Sequence, residues 1–121
     1  MKKPKGIDGK LDDAWKKRVK DLADWTCAYC GMGKEVRQIH AHHIFTRSRK
    51  STRWDVDNGI SLCAYHHTLS SELSAHKAPL EFLEWLEKEK GKEWVQALRF
   101  KSYQHKKFSK SDKEEMLKLL S

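Results

Sequence analysis

The sequence has no long hydrophobic run, only two prolines and only three cysteines. No stretch approaches the ~20 apolar residues that a membrane-spanning helix needs, which excludes an integral membrane protein. Because Met1-Lys2-Lys3-Pro4 leads into no apolar segment, we expect no secretory signal peptide. Three cysteines cannot all pair with one another, and without an export signal a disulfide framework is a poor interpretation.

Positive charge and aromatic side chains are what the chain has in quantity. Lysine and arginine together number 25 against 17 aspartates and glutamates, which gives a net charge of +8. This excess favours a polyanionic partner, with nucleic acid ahead of an anionic membrane surface. The five tryptophans, three tyrosines and four phenylalanines argue against a disordered chain, because they supply apolar surface to bury.

Helical patterns occur towards the two ends of the chain. The first pattern is a stripe of apolar residues spaced three or four apart: Leu11, Trp15, Val19, Leu22 and Trp25. This spacing predicts an amphipathic helix. Pro79 predicts the start of a later helix and Gly91 its end, and the capping-box pattern Ser111 to Glu114 predicts a last helix.

The length of 121 residues predicts one folded domain. We expect residues 1–10 to form a flexible basic N-terminus and residues 11–100 to form the domain itself. Residues 101–121 are predicted to be a basic linker followed by the last helix. The middle of the chain loses helical periodicity, and there we predict short strands at Val36–Ala41 and Gly59–Leu62 and a short helix over residues 63–74. The fold class is therefore α+β.

Two short Cys/His pairs predict a structural metal site. The pairs are Cys27-x-x-Cys30 and Cys63-x-x-His66, and each allows a tight turn to aim two donors at one ion. Three thiolates and one imidazole form a closed tetrahedral set that suits structural Zn²⁺. The alternatives are two unrelated pairs or a redox Cys-x-x-Cys, although the redox interpretation lacks a surrounding βαβ pattern.

Further histidines lie between and beside these pairs and predict a second polar site. The side chains of adjacent strand residues point to opposite faces of the sheet, so His42 and His43 cannot have the same role. One of them could hold a metal while the other turns towards a substrate. His67 follows His66 by one residue of the predicted helix. Its side chain therefore points away from the site formed by the two Cys/His pairs and can face the strands.

A basic loop separates the two predicted strands. No acidic residue occurs from Ala41 to Trp54, and the loop carries Arg47, Arg49, Lys50 and Arg53. We predict that these side chains contact DNA phosphates, which would be independent of base sequence. An ordinary solvated loop is the alternative.

This order of residues resembles the HNH endonuclease family. A histidine pair at the end of a strand, Asn58 before a short strand, and His67 just inside a helix form the HNH motif. The flanking Cys/His pairs are similar to those of members with a zinc knuckle, and the stretch 52–63 looks most like phage-encoded members. The resemblance covers about residues 24–90. It implies a ββα-metal (treble-clef-like) core flanked by N- and C-terminal helices.

The resemblance also implies an activity, which is metal-dependent hydrolysis of DNA phosphodiester bonds. His43 corresponds to the general base, and Asn58 to the second catalytic residue, which orients the base and its turn. His42 and His67 correspond to ligands of a catalytic divalent ion such as Mg²⁺, Mn²⁺ or Ni²⁺. The implied location is the cytoplasm of a bacterium or of a phage-infected host cell.

Alternative interpretations remain for some of the histidines and for the activity. His76 is a candidate third metal ligand or phosphate contact, and the alternative is that it is a surface histidine with neither role. Many family members carry cysteine where this chain has His66, so an exchange of roles between His66 and His67 is also open. The alternative function is a catalytically silent zinc-knuckle DNA-binding module, which would not need His43 or a second metal site. We expect a monomer, with a dimer as the alternative.

Overall fold

The computed structural model of the protein describes residues 5–70 and 74–121. Residues 1–4 of the predicted flexible N-terminus and residues 71–73 of the predicted short helix lie outside the described residues. In chain order the elements are α1 (Ile7–Leu22), β1 (Ile39–His43), a 3-10 turn (Val56–Asn58), β2 (Gly59–Cys63), a π-helical turn (Tyr65–Leu69), α2 (Pro79–Lys90), α3 (Lys92–Ser102) and α4 (Lys110–Leu120). This confirms the α+β class. Among the described residues, no helix is long and apolar enough to cross a membrane.

Helix α1 begins earlier and ends sooner than the apolar stripe predicts. It starts at Ile7, inside the segment expected to be flexible, and it buries the first three members of the stripe: Leu11, Trp15 and Val19. Leu22 lies in the helix, as predicted, where it is the last residue, and its side chain is 61% exposed. The prediction was wrong for Trp25, which lies beyond the helix, because Asp24 and Trp25 adopt left-handed backbone angles (φ 52° and 55°).

The two strands form an antiparallel pair in which Ile39 lies opposite Cys63 and His43 lies opposite Gly59. Strand β2 was predicted to within one residue. Strand β1 starts three residues later than expected, at Ile39, because Val36 lies in a turn closed by its N–H to the Gly33 carbonyl (3.0 Å). Val36 is accordingly exposed rather than paired.

Gly59 allows β2 to lie directly against α1. A Cβ atom built on Gly59 would lie 2.4 Å from Cγ2 of Val19 and 2.8 Å from Cζ2 of Trp15, distances at which atoms overlap. Since only glycine fits here, the approach of helix and strand depends on this residue. The same packing brings Trp15 to the strand end that carries His43.

Two apolar clusters hold the fold together. One joins the strands to α2 and α3 through Ile60, Leu62, Phe82, Leu86 and Val95 together with the two buried cysteines. The other joins α1 to Trp54, with side chains of α4 packed against it. The strands are therefore covered by α1 on one face and by α2 on the other.

The C-terminal helices fit the sequence signals with two differences. Helix α2 opens at Pro79 and stops at Gly91, whose positive φ (91°) suits glycine. Helix α3 then runs to Ser102, past the predicted boundary at residue 100. The capping box of α4 is formed by Ser109 and Asp112, two residues before the predicted Ser111 pattern, because the Asp112 carboxylate accepts from the Ser109 N–H at 2.9 Å.

Candidate metal centres and active site

The first candidate metal centre contains the four predicted knuckle residues. The donor atoms of Cys27, Cys30, Cys63 and His66 all lie within 4.8 Å of one another. The Sγ atoms of Cys30 and Cys63 are 3.8 Å apart, and Nδ1 of His66 lies 3.3 Å from Sγ of Cys63. A tetrahedral ion with metal–sulfur bonds near 2.3 Å would separate two sulfurs by about 3.8 Å. The donor set therefore fits one metal ion of zinc's size.

Local turns aim these donors. The first pair lies in a tight turn in which the Gly31 N–H donates to the Cys27 carbonyl (2.8 Å). Gly31 has φ 75°, in the left-handed region that favours glycine. In the second pair, Cys63 is the last residue of β2 and His66 lies in the π-helical turn that follows. A strand end and a turn thus converge on one point.

Electrostatics also favour a cation at this centre. Burial, followed by the neighbouring Cys27 thiol, raises the pKa of the Cys30 thiol to about 11. Burial also opposes ionisation of Cys63, but the His66 N–H and the Arg37 guanidinium (3.6 Å) outweigh it and lower the pKa of that thiol. Thiols this close repel one another when charged, so a divalent ion is needed before all three can ionise together.

A second candidate centre is formed by three histidines from different parts of the chain. The ring nitrogens of His42, His67 and His76 lie within 4.8 Å of one another. Nε2 of His67 lies 3.1 Å from Nδ1 of His42 and 3.1 Å from Nε2 of His76. The structure thus groups His76 with the two histidines expected to bind the catalytic ion. It also puts His66 with the cysteines and His67 with the histidines, not the reverse.

His40 contacts one of the three histidines of the second centre, His67. It lies on the same face of β1 as His42, and its Nδ1 lies 2.8 Å from Nδ1 of His67. A hydrogen bond between these atoms leaves Nε2 of His67 directed at the other two histidines. Partners of this kind orient metal-binding imidazoles in proteins.

Burial holds His42 and His67 of this centre in the neutral form. Burial, followed by the neighbouring His67, lowers the pKa of His42 to about 3. Burial, followed by His76, lowers the pKa of His67 to about 4. Neutral imidazoles keep a lone pair for a cation, so at neutral pH both rings are ready ligands.

His43 points to the opposite face of β1, as strand alternation requires. Its ring stacks on Trp15, with ring centroids 3.7 Å apart and planes 6° from parallel. Nε2 of His43 lies 2.9 Å from the Arg53 carbonyl oxygen. Because a carbonyl can only accept, Nε2 carries the proton and Nδ1 keeps its lone pair. Burial lowers the pKa of His43, which favours this neutral form.

Asn58 fixes the loop that carries the Arg53 carbonyl. Its side chain is fully buried, and its Oδ1 accepts from the Phe45 N–H (2.8 Å). Its Nδ2 donates to the carbonyls of Phe45 (2.9 Å) and Thr52 (3.2 Å). Asn58 therefore clamps both ends of the loop between the strands.

Asp12 is a functional candidate that the sequence did not indicate. Its carboxylate accepts from Nε (3.0 Å) and Nη2 (2.7 Å) of Arg53 and from Nε1 of Trp54 (2.9 Å). Asp12 ties the segment carrying the Arg53 carbonyl to α1. Only a regular acidic position on a helix surface was visible in sequence, and nothing there pairs it with a residue 41 positions away.

The basic loop does not present all four of its cations to solvent. Arg47 and Lys50 are exposed. Arg53 is engaged by Asp12, and the guanidinium of Arg49 lies 4.2 Å from the ring centroid of Tyr103 in the segment after α3. Two cations of the loop, Arg47 and Lys50, are therefore exposed, whereas the other two, Arg49 and Arg53, make contacts within the protein.

Two strands, a following helical turn and a Cys/His cluster that could hold a metal ion define an α+β protein with a histidine-rich site beside that cluster. An HNH endonuclease family model matches residues 27–72, from the first knuckle cysteine through both strands to beyond His67. This match confirms the resemblance to the HNH endonuclease family over that segment. No curated protein and no solved structure matches the chain.

Proposed function

We propose that this protein is a metal-dependent DNA endonuclease that acts in the cytoplasm of a bacterial or phage-infected cell. The observation that carries the proposal is the end of β1. There His42 joins the three-histidine cluster, while His43 keeps a free Nδ1 lone pair. A cation site and a base supplied by adjacent residues are what phosphodiester hydrolysis requires.

In this proposal the knuckle has a structural role. Cys27, Cys30, Cys63 and His66 hold Zn²⁺, and four protein donors complete a tetrahedral shell and leave no position for a substrate. Cys27 and Cys63 belong to the apolar cluster that contains Ile39, Leu62 and Phe82, so the ion stabilises the apolar centre of the domain.

The histidine cluster holds the catalytic ion. His42, His67 and His76 provide three nitrogens, which leaves coordination positions for a phosphate oxygen and water. Such an ion, when bound, neutralises the phosphate and stabilises the leaving oxygen. An all-imidazole set favours Mn²⁺, Ni²⁺ or Zn²⁺ over Mg²⁺, which prefers oxygen ligands.

His43 acts as the general base. Its Nδ1 takes the proton from the attacking water, while its Nε2–H stays bonded to the Arg53 carbonyl. Asn58 and Asp12 keep that carbonyl in place from the two sides of the loop, and Trp15 holds the ring plane. Exposed Arg47 and Lys50 supply phosphate contacts next to this site, and these contacts read no sequence.

The test is digestion of supercoiled plasmid DNA by the purified protein with Mg²⁺, Mn²⁺ or Ni²⁺ added. We expect cleavage with at least one ion and its loss in His43→Ala. His105→Ala, which changes an exposed histidine outside both centres, is the control and should cleave like the parent. If the parent binds DNA but cleaves with none of the ions, the chain is the silent DNA-binding module instead.

A further inference from the structure

The end of α3 forms a second positively charged surface that the proposed active site does not use. The segment 99–107 contains Arg99, Lys101, Lys106 and Lys107 and no acidic residue. Two aromatic side chains of this segment are exposed, Phe100 at 70% and Tyr103 at 55%. Large exposed rings set among cations are a common feature of surfaces that bind nucleic-acid strands.

Helix geometry puts these groups on one side of the molecule. Phe100 and Tyr103 are three residues apart at the end of α3, and Arg99 precedes Tyr103 by four. The guanidinium of Arg99 lies 5.9 Å from the Tyr103 ring centroid. Arg99, followed by Arg49, lowers the pKa of the Tyr103 hydroxyl. Tyr103 thus gathers two guanidinium groups beside the exposed ring of Phe100.

This surface is continuous with the loop of the proposed active site. Arg49 belongs to that loop, where it lies 5.5 Å from the ring centroid of Phe45, the residue clamped by Asn58. It also donates to Oγ of Ser102 at 2.9 Å, and Oγ of Ser51 donates to the Lys101 carbonyl at 2.7 Å. The end of α3 is therefore fixed to the loop, and a strand leaving the site can reach it.

We propose that this surface binds a single-stranded stretch of DNA next to the bond that is cut, with a base stacked on Phe100 and a phosphate near Arg99. The proposal rests on the proposed nuclease function and names its substrate class, which is DNA with unpaired bases. Paired bases in a duplex cannot offer their faces to Phe100, whereas unpaired bases can. A second copy of this chain is a poorer occupant, because two such cationic surfaces repel each other.

The test compares binding of an unpaired oligonucleotide of about 12 residues, within the usual site size, with binding of a hairpin duplex. The measurement is fluorescence anisotropy in the His43→Ala background without added divalent ion, so binding is scored apart from cleavage. We expect Phe100→Ala and Phe100→Leu to weaken single-strand binding about fivefold or more, because base stacking is lost. Phe100→Tyr should keep it, and duplex affinity should change little.

The controls separate base stacking from charge and from self-association. Leu119→Ala removes a side chain of similar exposure (75%) on α4 and should leave both affinities unchanged. Arg99→Gln should lower the salt dependence of single-strand binding by about 0.7 units of slope. If Phe100→Leu binds like the parent, stacking is refuted. If Phe100→Ala instead converts a dimer to monomers in sedimentation without changing DNA affinity, the surface is a self-interface and the proposal fails.

These results do not depend on catalysis. A parent that cuts neither plasmid nor an oligonucleotide with unpaired bases, but whose single-strand affinity still falls on Phe100→Ala, would refute the nuclease function and leave the binding surface supported. A parent that cuts plasmid, but whose Phe100 variants bind single-stranded DNA like the parent, would support the nuclease function and refute the proposed binding surface.

Discussion

The two candidate metal centres adjoin one another along the chain yet differ in the number, the chemistry and the burial of their donors. The knuckle has four donors, three of them sulfur, and its residues are buried except for Cys30. The histidine cluster has three nitrogen donors, one of them on the exposed His76. His66 and His67 are neighbours, but the π-helical turn sends one to each centre. A closed, buried set suits structure, and an open, partly exposed set suits exchange with solvent and substrate.

The largest expected effect is loss of the fold when the closed centre is broken. Cys63→Ser should remove the zinc and unfold the domain. Structural zinc can contribute about 10 kcal/mol or more to folding, which is comparable to the whole stability of a small domain. His67→Ala, at the open centre, should remain folded and keep its zinc. Elemental analysis and thermal melting followed by circular dichroism measure both outcomes.

Either of two results would contradict that contrast. A Cys63→Ser protein that contains no zinc but melts like the parent would show that the knuckle does not stabilise the domain. A His67→Ala protein that unfolds would show that both centres are structural.

The next largest effect is on the chemical step. His43→Ala should lower the cleavage rate by about 10²–10⁴-fold, the usual cost of removing a general base. Zinc content, melting and DNA affinity should stay close to those of the parent. The rate should be measured in single-turnover digestion at saturating metal, with His105→Ala as the control. Cleavage by His43→Ala at the parent rate would remove it from the reaction.

His67→Ala sharpens the difference between a base and a ligand. Removing one of three nitrogen donors should weaken binding of the catalytic ion by about 10-fold or more. Added Mn²⁺ or Ni²⁺ should therefore partly restore cleavage by His67→Ala and should do nothing for His43→Ala. A metal titration of the rate measures this. Equal rescue of both variants, or of neither, would contradict the division of roles.

How much of this could be predicted from sequence depends on how local each feature is. The knuckle pairs are local turns, so Cys27-x-x-Cys30 indicated a metal site directly. Strand pleating separated His42 from His43 correctly, because alternation depends only on neighbouring residues. The start of β1 was missed because a turn at Val36 overrides its strand propensity.

Long-range contacts account for what the sequence did not indicate. Trp15 was recognised as part of the apolar stripe of a helix, but its stacking on His43 depends on how closely α1 approaches β2 at Gly59. Arg53 was expected to contact DNA, yet it is paired with Asp12, which precedes it by 41 residues. No pattern in the sequence encodes the meeting of two segments so far apart.

Replacing Asp12, which connects α1 to the loop between the strands, should have a smaller effect, and that effect is on stability. Burial raises the pKa of its carboxyl, but hydrogen bonds from Arg53 and Trp54 outweigh this and hold it below the ordinary 3.8. The stabilisation is thus present above that value and lost as the pH falls through the lower folded pKa. Asp12→Asn should reduce the free energy of unfolding by about 1–2 kcal/mol. The loss should not vary between pH 6 and 8, because the carboxylate is ionised throughout.

Denaturant unfolding of Asp12→Asn measures this loss. Asp13→Asn is the matched control, since Asp13 is the neighbouring acid on α1 and its ion pair with Lys5 is solvent-exposed. It should change stability little. A stability loss in Asp12→Asn that disappears between pH 6 and 8 would show that a different group titrates in this pair.

The smallest expected effect concerns the exposed cations beside the site. Arg47→Gln and Lys50→Gln should each lower the slope of log affinity against log salt by about one unit for duplex DNA, because each removes one phosphate contact. The measurement is anisotropy of a labelled duplex over a range of salt concentrations, and Lys16→Gln on the exposed side of α1 is the control.

Arg53→Gln should behave differently, because the charge of Arg53 is already neutralised by Asp12. Its main effect should be on stability. If Arg53→Gln changes the salt slope as much as Arg47→Gln does, the ion pair opens when DNA binds, and the division of the loop into exposed and structural cations is wrong.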